Sequence, residues 1–379
     1  MCFADMVTRN ASSRNDASLP RVEYEDIVSG EGRLNKDIRK KKSQKKGIYF
    51  SKSEVLYGKL RPYLKNILLT NFEGIAVGDF WVFHPKCVNS EFLYYFVNSL
   101  PFEKVANITA GSKMPRADWN IVSSSLFSIP TALSEQLSIA DFFKSLDAMI
   151  SSTSKKITKL EQTKKACLLS MFPQKGERLP KVRFKGFDGE WTIVKLGDCL
   201  AISTERNGGN TFGKDKVLSV SDDFGVVNQI GLLGRSYAGK SVENYKVLRT
   251  NQIVYTKSPL KSKPYGIIKV NKGETGIVSV LYAVYDAKDG VCPDYIHFYF
   301  QSKHRVNNYL LPLINKGAKN TMNISDETAL EGLISIPSLK EQIKIADYLW
   351  SLEKMISLQT RRLSLLKHIK SACLDNMFV

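Results

Sequence analysis

From residue 146 the chain sets Leu146, Ile150, Thr153, Ile157, Leu160, Lys164, Cys167 and Met171 at alternating steps of four and three. The alternation returns at Leu352, Ile356, Gln359, Leu363, Leu366, Lys370, Cys373 and Met377. Such a heptad seam belongs to helices that pack along their length, so it predicts two long helices. Lys164 and Lys370 share one seam position. Burying an ammonium is costly, so these lysines are expected to snorkel or to help set register. Ser338 and Glu341 have the spacing of a capping box at the start of the second helix. The Pro- and Gly-bearing stretch FPQKGERLP, residues 172–180, ends the first.

Elsewhere the pattern changes to short runs of β-branched and aromatic residues broken by Gly, Pro, Asn or Lys. WTIVKLGDCLAI (191–202), KVLSV (216–220), YKVLRTNQIVYT (245–256), GIIKV (266–270) and GIVSVLYAVYD (276–286) predict strands. Two aromatic segments, EFLYYFVNSL and DYIHFYFQSKHRV, predict short helices.

These patterns occur twice. With Glu135 aligned to Glu341, 17 of 38 positions are identical through Phe172 and Phe378, which makes the helices two copies of one element. Weaker matches extend upstream: FLYYFVNS with YIHFYFQS, GIAVGDFWVFHP with GIVSVLYAVYDA, and VLYGK with IVYTK. The chain is a tandem repeat of a β-rich module followed by a helix. A seam of this length leaves a stripe in need of a partner, unless each helix merely covers its own sheet. The other copy offers a matching stripe, and a two-fold relation would pair the helices antiparallel. The expected fold is therefore α+β, with two β-rich recognition domains in tandem and their helices paired as an antiparallel coiled coil. The expected domains are residues 1–130, a central helical spacer 131–175, residues 176–336, and a final spacer 337–379.

Composition narrows the function. The sequence has 55 Lys+Arg against 37 Asp+Glu, a net charge of +18. A surplus of that size points to a polyanionic partner, most commonly nucleic acid. No apolar run approaches a membrane span, the N-terminus lacks the order of a signal peptide, and the six cysteines show no CxxC spacing. These features fit a cytoplasmic protein with no membrane, zinc or disulfide framework. The four histidines show no ligand spacing. Gly234 to Ser241 formally matches a P-loop, but a phosphate cradle needs a helix after it, and VENYKVLRTNQIVYT reads as strand. A nucleotide-hydrolysing enzyme is thus the remote alternative.

The repeated IP...L.EQ..IA..L..LD..I pattern, PKVRFKGFDGEWTIVKLGD and VLYGKLRPYLKN together resemble the specificity subunit of a type I restriction-modification system. The resemblance covers nearly the whole chain. It implies two target-recognition domains, each reading half of a split double-stranded DNA sequence, and helices that hold the domains apart and dock two methyltransferase (modification) subunits. Translocase/endonuclease (restriction) subunits join for cleavage. It also implies no catalytic residue, metal or cofactor in this chain, with S-adenosylmethionine, ATP and magnesium on the partners. The first module lacks a stretch like GEWTIVKLGD before LPRVEYEDI, and MCFADMVTRNASSRND is no convincing substitute. Its first strand is therefore expected to be missing, and a silent or recombining specificity cassette is the nearer alternative.

DNA contacts are expected from basic loops, since phosphate contacts position a protein and base-edge contacts specify sequence. The first module offers Lys59, Arg61, Tyr63, Lys65 and Asn66, where Pro62 stiffens the loop and Arg61 has the fork geometry for guanine. The second offers Lys257, Ser258, Lys261, Lys263 and Tyr265. Near each module's end lie Lys113 and Arg116, then Lys316, Lys319 and Asn320. RLNKDIRKKKSQKKG (33–47), with eight basic residues and one acid, reads as an arm for phosphates or as a loop without a ligand.

Overall fold

The structure, a computed structural model, describes residues 1–40, 45–108, 114–174, 176–259, 263–316 and 322–378. Its contacts divide the chain into two units. One holds residues 1–156 and 359–379, the other residues 157–358. Each unit thus takes one β-rich module and part of both long helices.

The first unit is built on an antiparallel sheet of β1 (Val7–Asn10), β2 (Val55–Gly58), β3 (Ile67–Leu69) and β4 (Phe80–Pro85), in the order β1-β4-β2-β3. Helix α1 (Ser90–Phe96) packs on it, and Phe3, Tyr57, Trp81, Phe83, Phe92, Phe96 and Phe102 form an aromatic core. The second unit repeats the plan. Its strands β5 (Leu200–Ile202), β6 (Ile253–Tyr255), β7 (Ile268–Val270) and β8 (Ala283–Ala287) run β5-β8-β6-β7, with helix α3 (Pro293–Gln301) on them.

This topology corrects one expectation. Val7–Asn10 fills the sheet edge that Leu200–Ile202 fills in the second unit. FADM before it forms one helical turn, as LGDC does at residues 196–199. The counterpart is hard to see in sequence because the turn and edge strand need only apolar spacing, met here by Phe3, Met6 and Val7. The strand pair made by Thr192–Lys195 with Leu333–Ile336 is reduced in the first unit to a single bridge, Cys2 to Leu126.

The long helices are α2 (Leu133–Ser170) and α4 (Leu339–Asn376), 38 residues each. Within the first unit, Phe143 of α2 stacks on Phe378 at 5.9 Å, and Asp147 meets Lys370 of α4 at 2.6 Å. Within the second, Lys164 meets Glu353 at 2.6 Å, and Cys167 lies beside Tyr348. In both units numbering rises on one helix as it falls on the other, so the helices pair antiparallel. The two ion pairs are reciprocal: Lys164 and Lys370 are repeat-equivalent, as are Asp147 and Glu353. The seam lysines therefore reach carboxylates of the facing helix instead of snorkelling to solvent.

The seam itself is graded. Leu146, Leu352 and Met171 are buried, while Ile150, Ile157, Leu160, Cys167, Ile356, Leu363, Leu366 and Cys373 are half-buried. Met377 is exposed, contrary to the heptad reading. Helix α4 stops at Asn376, and its neighbour Phe378 turns inward, 4% exposed, against Phe92 at 5.7 Å. Phe172 does the same in the second unit, against Tyr295 at 5.5 Å and under the Arg305 guanidinium. No capping-box hydrogen bond between Ser338 and Glu341 occurs among the described residues; instead Arg183 grips both Glu341 carboxylate oxygens at 2.7 and 2.8 Å. No described helix is long and apolar enough to cross a membrane.

Candidate nucleic-acid interface

In the first unit the loop after β2 is pinned on both sides. The Arg61 amide donates to the Pro115 carbonyl at 2.8 Å, and the Ala117 amide donates to the Lys59 carbonyl at 2.9 Å. Two segments far apart in sequence, 59–65 and 114–117, are thereby brought together. The 3-10 turn Pro62–Leu64 is flanked by Arg61 and Lys65, with φ of 51° and 50°. Left-handed backbone at residues other than glycine costs energy, and it persists where surrounding bonds over-determine it. Here the turn's own bonds, from the Leu64 amide to Arg61 and the Lys65 amide to Pro62, do so.

The charges on this loop are arranged around Asp79. Its carboxylate accepts from Arg116 at 2.7 Å and lies 3.7 Å from Lys59, while the Tyr24 hydroxyl donates to its carbonyl. Two cations share one anion, so the group keeps a positive excess. Arg61 is exposed and has no side-chain partner among the described residues. Tyr63 beside it is half in solvent. Arg61, Tyr63, Lys59 and Arg116 are therefore the members of the sequence-derived set that stand ready for an external ligand.

Other members have internal work. Asn66 is buried and accepts from the Ser29 hydroxyl at 2.9 Å. Lys65 pairs with Glu103 at 2.7 Å and donates to the Asn98 carbonyl, just beyond α1. Lys263, 5% exposed, pairs with Asp222 at 2.7 Å and donates to the Gln301 carbonyl, at the end of α3. Both lysines thus satisfy a carbonyl that a helix end leaves open, in equivalent places of the two units. Both were expected at DNA from the sequence, but their ammonium groups pair with carboxylates of their own unit.

The second unit presents fewer free cations from that set. Lys257 and Lys246 both bind the Asp326 carboxylate. Burial pushes this carboxyl up, but the two lysines outweigh that and hold it below the usual carboxylate range. Ser258 donates to the Thr256 carbonyl, and Tyr265 is half-buried, its carbonyl accepting from the Tyr255 hydroxyl. The backbone of Lys316 lies in a strand pair, Asn315–Lys316 with Met322–Asn323. Lys113, Lys261, Lys319 and Asn320 lie outside the described residues, as do residues 41–44 of the basic arm. The P-loop-like segment starts at Gly234, which caps the helix Gln229–Leu233, and the segment after it forms no helix before the strand at Lys246–Leu248.

Gln136 and Gln342 are among the identical positions of the repeat. Each is 1% exposed. Gln136 accepts from the Asn89 amide at the start of α1 and donates to the Pro130 carbonyl. Gln342 accepts from the Cys292 amide at the start of α3 and donates to the Pro337 carbonyl. One side chain thus ties each long helix to its module's short helix. A Gln matched in both copies, three residues into a helix, was the available signal.

The model of the type I restriction modification DNA specificity domain matches residues 7–162 and 188–368, once over each module with part of its helix. The chain belongs to this family. Similar solved structures carry the same fold. The HsdS subunit from Thermoanaerobacter tengcongensis is 19% identical with a TM-score of 0.50, and the match covers 100% of this chain and 95% of that one. The S subunit of the type I restriction-modification system from M. genitalium is 11% identical with a TM-score of 0.56, at the same coverage. A third, from a structural study of assembly and conformational transition in the type I R-M system, is 18% identical with a TM-score of 0.54, covering 99% of this specificity-family chain and 95% of its own.

Proposed function

We propose that the chain is the non-catalytic recognition subunit of a type I restriction-modification complex and reads a split duplex DNA target, one half-site per unit. The observation that carries this reading is the duplicated design: one sheet order occurs twice, and each copy is locked to the helices by its own buried Gln and ion pair. Arg61, Tyr63, Lys59 and Arg116 approach one half-site. The loop beginning at Lys257 and Ser258 and the strand pair carrying Lys316 approach the other. Two methyltransferase subunits bind along the helices, where exposed Leu137 and Met149 on α2 match exposed Ile343 and Met355 on α4 at repeat-equivalent positions. Translocase/endonuclease subunits complete the complex. S-adenosylmethionine, ATP and magnesium act on the partner subunits.

Exchange of residues 181–330 for the second module of another family member, followed by methylome sequencing, tests this. One half of a split adenine motif should change and the other half should persist. A change in both halves, or an unaltered methylome when the gene is deleted, would refute the reading.

A further inference from the structure

The second unit holds a cleft of about 990 Å³ whose walls come from α2, β7, α3, α4 and the hairpin at residues 222–226. His297, 4% exposed, lines it. Its Nδ1 accepts the Val270 amide at 3.3 Å, which puts the ring proton of the neutral imidazole on Nε2. Burial and the surrounding lysines keep that ring neutral. Among the described residues the Nε2 atom has no partner, and neither has the indole Nε1 of Trp350, whose ring stacks on His297 at 5.3 Å and 12°. Two buried N–H donors without acceptors are costly, and they call for an explanation.

The charge around them is positive. Lys164, Lys263, Lys269 and Lys272 face this region, and among the described residues they share three carboxylates: Glu353, Asp222 and Asp294. Exposed Lys165 and Lys303 also line the cleft, as do Glu161 and Asp223. Counting Asp294, six lysines stand against five acids among the described residues, so a positive charge remains over. Beside the polar groups lies an apolar wall that includes Leu168, Val226 and Ile356. A cleft of this size accommodates a small organic ligand.

The first unit is different at these places. The positions equivalent to His297 and Trp350 are Tyr94 and Lys144, and Lys144 is paired with Glu91 at 2.7 Å. Whatever the cleft does is therefore no part of a task shared by the two modules.

We propose that the cleft binds a small phosphorylated molecule of nucleoside monophosphate size, its phosphate drawn to the lysines and the two unsatisfied N–H groups and its organic body lying on the apolar wall. The inference does not depend on the DNA reading. Calorimetric titration of the full chain with AMP, adenosine and inorganic phosphate tests it. AMP should bind saturably and more tightly than either fragment. Lys272→Gln changes a partly exposed side chain and should weaken AMP about tenfold or more, from the loss of one charge-assisted contact. Trp350→Phe keeps an aromatic ring, loses the indole N–H and should act in the same direction in a protein that still unfolds in one cooperative thermal transition. If Trp350→Phe does not fold, Lys272→Gln decides. AMP binding no tighter than adenosine, AMP affinity unchanged in Lys272→Gln, or displacement of bound AMP by a short DNA duplex would overturn the proposal, the last by assigning the phosphate to a DNA backbone.

Discussion

Arg61→Ala separates reading of DNA from holding of the fold. The guanidinium is exposed and contacts no described side chain, so its removal should leave stability within about 0.5 kcal/mol, as for other surface positions. The turn survives, because its bonds come from the backbone at Pro115, Leu64 and Lys65. A bidentate contact to a base edge contributes ~1–3 kcal/mol of discrimination, which at 25 °C is a loss of roughly 5- to 150-fold. Lys65→Met is the contrasting variant. It strands the half-buried Glu103 carboxylate and the Asn98 carbonyl, so it should lower stability by about 1–2 kcal/mol without changing which sequence is read. The assay is binding of the assembled methyltransferase complex to duplexes altered in one half-site or the other, over a series of salt concentrations. Arg61→Ala should lose affinity for the native sequence of one half-site and tolerate substitutions there. A uniform loss over all duplexes, with the salt slope reduced by ~0.9, would make Arg61 a phosphate contact. No loss at all would remove this loop from the interface.

Phe378→Ala should destabilise the first unit by about 3–5 kcal/mol, because the ring is buried against Phe92, Phe96 and Phe143; denaturant unfolding checks this, and a change under 1 kcal/mol would contradict the packing. Gln136→Ala and Gln342→Ala should each cost about 1–3 kcal/mol by leaving a helix-start amide and a carbonyl unpaired in a buried place, and amide exchange should rise locally at Asn89 or Cys292 respectively. The Asp326 carboxyl is held below its ordinary value, so its contribution to stability is present above about pH 4 and fades as pH falls through the lowered native value. Lys246→Met should flatten that part of the stability profile between about pH 5 and pH 3, and an unchanged profile would count against the lysine's role.

The long helices were legible because a seven-residue period over several turns leaves few alternatives. Their partner was legible because a matching stripe lay in the same chain. What the period could not show was the exit: Met377 continues the heptad on paper, yet the helix ends at Asn376 and Phe378 carries the packing. The edge strand Val7–Asn10 escaped because its residues share almost no identity with Leu200–Ile202, and register in a sheet edge is set by pairing with Phe80–Pro85, seventy residues on. The basic loops were visible as loops. Which lysines are free was not, since their carboxylate partners Asp79, Glu103, Asp222 and Asp326 lie between 20 and 69 residues away and only the fold brings them in. Arg61 stands out only by subtraction, once those pairs are known.

The placement of Phe378 also bears on how the protein is made. Residues 359–378 complete the core of a unit whose sheet is finished by Pro85, yet a ribosome delivers them after the whole second module. The nascent first module must wait with the aromatic faces of Phe92, Phe96 and Phe143 uncovered, at ~5–20 residues per second in the case of bacterial-type synthesis for at least ten seconds. The second module meets no such delay, since Phe172 is already out when Tyr295 emerges. The first module is then the part that leans on chaperones, and a chain interrupted during the last helix should be cleared by proteases with its first recognition domain attacked before its second.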